Sequence, residues 1–262
     1  SEINKKFGIK LSEDISLERG MATPVTHCGT GKPILVGASH MCRTAEFLPA
    51  DCVSLAYPGF KATENSIREV ADRLAVIDPK KTDTVILDLL SNVAFMGTNE
   101  DGLPTPATRA SDGSYHVTGS LIAAPPSTLK KTLLACAPLA EKLKNARVIL
   151  ISPVPRYVVG KCCSNPSHIE NFGQGDYEEE FTEGQELHKR LLGLWGGSHN
   201  LDYIIVDPTT VAHPIAHSLR DRLHSAGGPL WALDDPVHLA PEAYRDLALT
   251  IICLLYTSDA AD

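Results

Sequence analysis

Five apolar, β-branched runs punctuate the chain, at residues 34–37, 53–57, 84–90, 147–152 and 203–207. Continuous apolarity over so few residues predicts strands buried on both faces. Between them lie stretches that read as helices, at 41–48, 63–77, 127–143, 177–194 and 211–225. A last helix is predicted after Leu239, with Pro241 in its first turn and Glu242 suited to the helix dipole. Strands alternating with helices predict βαβ units, and so a mainly parallel sheet covered by helices. The expected fold class is a single α/β domain, a three-layer α/β/α sandwich on a five-stranded sheet.

Two stretches break the alternation. Residues 97–126 are rich in Gly, Pro, Thr and Asp, and Asp112-Gly113-Ser114-Tyr115-His116 reads as a turn opening a hairpin. Residues 153–176 are irregular and follow the fourth strand. Both lie where insertions shape substrate pockets, at the carboxyl ends of strands. The expected organisation is an extension over 1–30, the domain over 31–252 and a doubtful tail over 253–262. That tail, Cys253-Leu254-Leu255-Tyr256-Thr257-Ser258-Asp259-Ala260-Ala261-Asp262, resembles translated sequencing-adapter read-through and departs from the helical pattern before it. An exposed Leu254-Leu255-Tyr256 would favour aggregation.

Composition narrows the classes. With 262 residues and 43% apolar residues the chain has ample core for one such domain. A net charge of −8 argues against nucleic acid, and no apolar stretch is long enough to span a bilayer. Seven cysteines at irregular spacing fit free thiols in a reducing compartment, which favours the cytosol. The first twenty residues are too polar for a secretory signal, though one removed before Ser1 would leave no trace.

The chemistry concentrates at two distant places. Asp235-Pro236-Val237-His238-Leu239 puts a carboxylate and an imidazole on one short loop before the last helix. Ser39 stands where the first strand breaks into a turn, in Val36-Gly37-Ala38-Ser39-His40. A nucleophile, a base and an orienting acid are what acyl transfer requires. Two further segments, Tyr57-Pro58-Gly59 and Leu90-Ser91-Asn92, fall at the ends of the second and third strands. Open parallel sheets bind ligands at the carboxyl ends of their strands, so these segments can converge. Each residue also has a plainer use. Ser39 suits a helix N-cap, Gly59 a turn, Asn92 the end of a strand, and Asp235 a cap beside a surface His238.

In this order the four segments resemble the blocks of the SGNH (GDSL-like) hydrolase superfamily, over roughly residues 33–249. The resemblance implies a flavodoxin-like sheet and a serine hydrolase acting on a small-molecule ester. It implies Ser39 as nucleophile, His238 as general base and Asp235 as the acid that orients it. The oxyanion hole would combine the N–H groups of Ser39 and Gly59 with the Asn92 amide. It implies no metal and no organic cofactor. Two departures bear on activity: Ala38 stands where the family has Asp, and Leu-Leu-Ser-Asn-Val keeps only the Asn of Gly-x-Asn-Asp.

Other features are weaker. His40 follows the nucleophile and either reaches the substrate or solvates the first helix. Arg156 follows the fourth strand and either holds an anionic substrate group or pairs with an acidic neighbour. Cys162 and Cys163 are vicinal, in a segment expected to have no regular structure, and poorly placed to share a zinc. His213 and His217 have one-face spacing but no acid beside them in sequence. Two further function classes stay open. An inactive, ligand-binding relative would hold Ser39 and His238 too far apart to share a hydrogen bond. A flavodoxin-like binding module would want a Gly-rich phosphate loop, and Gly37-Ala38-Ser39-His40-Met41 has one glycine.

Overall fold

The computed structural model describes residues 31–98, 104–105, 108–109, 115–116, 121–154, 156–158, 161–163, 177–208, 238–239 and 241–259, with the side chains of 95–123, 156–183 and 256–259 outside the description. In chain order the first elements are β1 (Pro33–Val36), α1 (Ser39–Ala45), β2 (Val53–Ser54), α2 (Glu64–Ile77) and β3 (Thr84–Leu87). Short strands β4 (Phe95–Thr98), β5 (Pro104–Thr105), β6 (Thr108–Arg109), β7 (Tyr115–His116) and β8 (Leu121–Ala123) follow. Next come α3 (Pro126–Ala135), α4 (Ala137–Glu141), β9 (Arg147–Ile151), β10 (Arg156–Val158) and β11 (Lys161–Cys163). The last described elements are α5 (Tyr177–Ser198), β12 (Asp202–Val206) and α6 (Pro241–Asp259).

One five-stranded sheet, ordered β12-β9-β3-β1-β2, carries the architecture, and every pairing in it is parallel. Counting only its own strands, this is the flavodoxin-like order 2-1-3-4-5. Its strands are the five apolar runs. Alternation sends Ile34, Val36, Val85, Leu87, Val148 and Leu150 into one apolar layer with α2 to α5. Leu35, Ile86, Ile149, Ile151 and Val206 enter the other, with Met41, Leu48 and the buried face of α6. Two covered faces explain why β1, β3 and β9 read as unbroken apolar runs, while the edge strands β2 and β12 are only partly covered.

Several boundaries differ from expectation: α1 spans 39–45 rather than 41–48, β2 ends at Ser54 rather than at residue 57, and α5 runs to Ser198 rather than 194. Three other differences have a local reason. The third strand stops at Leu87 rather than running to residue 90, because the Asp88 carboxylate accepts the Ser91 N–H and turns the chain. The helix expected over 127–143 is two helices meeting at Cys136. Pro138 lacks the N–H that would bond the Leu134 carbonyl, and its ring crowds that carbonyl. The last helix runs on to Asp259, and Leu255, 8% exposed, packs into the second apolar layer instead of lying free on the surface.

The first insertion holds two antiparallel pieces: β4 between β5 and β8, and β6 with β7, the expected hairpin. Residues 153–176 are not wholly irregular, since β10 and β11 pair antiparallel and put Cys162 and Cys163 in a strand. The stretch 211–225 lies outside the described residues. Among those described, no helix is long and apolar enough to cross a membrane.

A buried polar network joins α5 to the carboxyl ends of β9 and β12. Gln185 Nε2 donates to Asp207 Oδ1 (3.1 Å) and to the Pro153 carbonyl (3.3 Å), while its Oε1 accepts from His188 Nδ1 at 3.2 Å. Burial holds His188 neutral, pushing its pKa down to about 4. An unfolded chain binds that proton near pH 6.5. Stability from this group is therefore complete above pH 6.5 and is lost as pH falls towards 4. The loss should total on the order of 3 kcal/mol. Urea unfolding between pH 7.5 and 4 would measure it, and His188→Asn should flatten the slope in that window.

Candidate active site

Gly37 ends β1 in a place where no side chain fits. A Cβ there would lie 2.6 Å from Met41 Cγ and 2.9 Å from Asp88 Cβ. This close approach lets α1 begin two residues later. Ala38 is its N-cap and makes no side-chain capping bond, so Ser39 is the first helical residue, not the cap. Ala38 is also 1% exposed and packed in the first apolar layer, where a carboxylate would be desolvated. That is a physical reason for alanine in this position.

The Ser39 hydroxyl lies 2.7 Å from His238 Nε2, across 199 residues of sequence. Both side chains are half-buried. An inactive relative was expected to hold this pair apart; here it is within hydrogen-bond distance. Asp235, the expected orienting acid, lies outside the described residues.

Gly59 occupies the second central position of a turn closed by the Phe60 N–H donating to the Tyr57 carbonyl at 3.2 Å. Its φ of +80° is the left-handed value that a type II turn requires there, with Pro58 before it. The Tyr57 N–H in turn donates to the Gly37 carbonyl at 3.1 Å, which ties this turn to the end of β1.

Asn92 makes a contact that reaches beyond its own strand end. Its Nδ2 donates to the Phe60 carbonyl at 2.9 Å, joining the turn after β3 to the turn after β2. Around it, Asp88 Oδ1 accepts the Ser91 N–H at 3.2 Å and the Leu90 carbonyl accepts from Val93 and Ala94. Asp88, 2% exposed, thus organises the Leu90-Ser91-Asn92 segment. The sequence carries a signal for it, since an Asp where an apolar run ends can accept the backbone N–H three residues on, as a capping residue does. Read inside a longer apolar run, that signal is lost.

His40 does not have either expected role. It is 1% exposed, so it neither solvates α1 nor presents its ring to a substrate in solution. Its Nδ1 lies 2.8 Å from the Tyr244 hydroxyl, and its ring stands 5.6 Å from that of His238. Arg156 begins β10, but its side chain lies outside the description, as do His213 and His217. Among the described residues no group of three His, Cys, Asp or Glu is arranged to hold a metal ion. Cys42, Cys52, Cys136 and Cys253 are free thiols. Burial pushes Cys52 and Cys136 up to about 12, so neither is a nucleophile at neutral pH.

Ser39, Gly59 and Asn92 thus follow three adjacent strands, β1, β2 and β3. In this strand order the chain departs from β1 in both directions, and such a switch point opens a crevice at the carboxyl ends. The candidate residues Ser39, Gly59 and Asn92 follow these strand ends.

No protein-family model matches the chain, and no curated protein sequence matches it. Solved structures do show likeness of chain course. One is a lipase/acylhydrolase from Enterococcus faecalis, at 14% identity and a TM-score of 0.42, covering 87% of this chain and 97% of that one. Another is the C-terminal catalytic domain of Streptococcus pneumoniae peptidoglycan O-acetyltransferase A, at 14% identity and a TM-score of 0.45, covering 89% and 97%. The aryl esterase of M. smegmatis is 11% identical with a TM-score of 0.45, covering 87% and 99%. Likeness this distant assigns no role to a residue of this chain.

Proposed function

We propose that the chain is a serine hydrolase that cleaves a carboxylic ester through an acyl-enzyme on Ser39. The observation that supports this is the 2.7 Å approach of Ser39 Oγ to His238 Nε2 at the switch point of the sheet. With its proton on Nδ1, His238 accepts the hydroxyl proton at Nε2 as Ser39 Oγ attacks the ester carbonyl. The tetrahedral intermediate collapses, the alcohol leaves with the proton from Nε2, and the acyl group stays on Ser39. Water then attacks the acyl-enzyme as His238 takes its proton, the second tetrahedral intermediate collapses with that proton returned from Nε2 to Ser39 Oγ, and the carboxylic acid is released. Asp235 would hold the tautomer and stabilise the imidazolium.

The oxyanion would be met by three donors. Ser39 opens a helix, so its N–H has no intrahelical acceptor. The Gly59 N–H belongs to the neighbouring turn. The Asn92 amide, its plane held by the bond to the Phe60 carbonyl, would be the third donor. On this assignment Asn92→Ala should lower kcat by about 10²-fold. Hydrolysis of p-nitrophenyl acetate would show it, with KM changing little.

Labelling by a fluorescent fluorophosphonate tests the whole reading. Wild type should label, while Ser39→Ala and His238→Ala should not. A folded wild type that stays unlabelled and leaves p-nitrophenyl acetate intact would leave ligand binding in the same cleft as the better account.

A further inference from the structure

We infer that Tyr244 and His40 form a clasp that sets the reach of His238 to Ser39, which makes Tyr244 a positioning residue; this rests on the hydrolase reading above. The Tyr244 hydroxyl accepts the Leu239 N–H at 3.0 Å and lies 2.8 Å from His40 Nδ1. Leu239 directly follows His238, and His40 directly follows Ser39. The two residues that must meet are therefore each one peptide bond from a group held on the same oxygen.

Burial gives the arrangement its stiffness. Tyr244 and His40 are each 1% exposed, and Tyr244 lies in the first turn or so of α6, which packs on α1. A buried phenol without partners would be worse than a phenylalanine of nearly the same volume. Here the hydroxyl is used to join the start of α1 to the start of α6. No local chain geometry can do this, because Ser39 and His238 are separated by 199 residues. The His40 ring, tilted 57° to that of His238, also walls one side of the base. Neither residue touches the reacting atoms, so their effect passes through where His238 stands.

Tyr244→Phe keeps the ring and removes the oxygen. Its expected effect is about a tenfold fall in kcat for p-nitrophenyl acetate with KM unchanged, since a small misplacement of the base weakens only the transition state. Fluorophosphonate labelling should slow by about the same factor. His40→Leu should reproduce the loss. His40→Asn, whose Oδ1 falls near the imidazole Nδ1, should recover most of it, a rescue that a merely structural role does not require. This pair also decides the matter if Tyr244→Phe does not fold. Variants that label as fast as wild type would overturn the clasp and leave the hydrolase reading intact. A folded wild type that neither labels nor turns over ester would overturn both.

Discussion

Ser39→Ala is expected to reduce ester turnover by about 10⁴- to 10⁶-fold. Its thermal stability should stay close to that of the wild type. The two outcomes separate because the Ser39 hydroxyl has no part in capping α1, whose N-cap is Ala38. The hydroxyl instead faces His238 Nε2 at 2.7 Å. On the proposed mechanism, removing it takes away the attacking atom, while packing is left almost untouched. Steady-state kinetics with a p-nitrophenyl ester, read beside a melting curve, measures both quantities. A variant that keeps a tenth of wild-type turnover would place the reaction on another residue.

Gly37→Ala has the opposite profile, a large effect that begins with folding. The added Cβ would meet Met41 Cγ at 2.6 Å and Asp88 Cβ at 2.9 Å. Met41 is flexible and can yield. Asp88 is 2% exposed, and its carboxylate holds the Ser91 N–H, so moving it disturbs the turn that carries Asn92. The expected destabilisation is about 2–3 kcal/mol, typical of forcing an extra carbon into packed structure. For a domain of this size that lowers the melting temperature by roughly 4–12 °C. Activity should fall even below the melting transition, because Ser39 and Asn92 are displaced together. A Gly37→Ala protein with unchanged melting temperature would show that β1 and β3 have more room at their ends than this geometry allows.

Legibility from sequence differed between fold and site. The three central strands were readable because burial on both faces leaves unbroken apolar runs such as Val85-Ile86-Leu87, and the edge strands β2 and β12 kept apolar, β-branched residues despite partial exposure. Helix α2 was readable because Thr63 and Ser66 cap it locally and the αL residue Asp78 ends it. The split at Cys136 was missed, since the apolar pattern carries on past the missing N–H of Pro138. The true end of β3 was missed because Asp88-Leu89-Leu90 continues an apolar run, while the turn depends on a single carboxylate.

At the site, residue types at strand ends pointed to Ser39, Gly59 and Asn92, and the Asp-x-x-His loop before the last helix pointed to His238. Their plainer uses stayed open, because spacing along a chain does not say which way a side chain points. Local chemistry, then, was determined by sequence: which segments bury both faces, where a glycine must turn, where a helix begins. Tertiary structure alone decided the order of the strands, the meeting of Ser39 with His238, and the turning of His40 inward onto Tyr244. Those contacts join residues up to about two hundred positions apart, and they exist only because two apolar layers close on the sheet and bring α1 against α6. Periodicity records which face of an element is buried, but not what is buried against it.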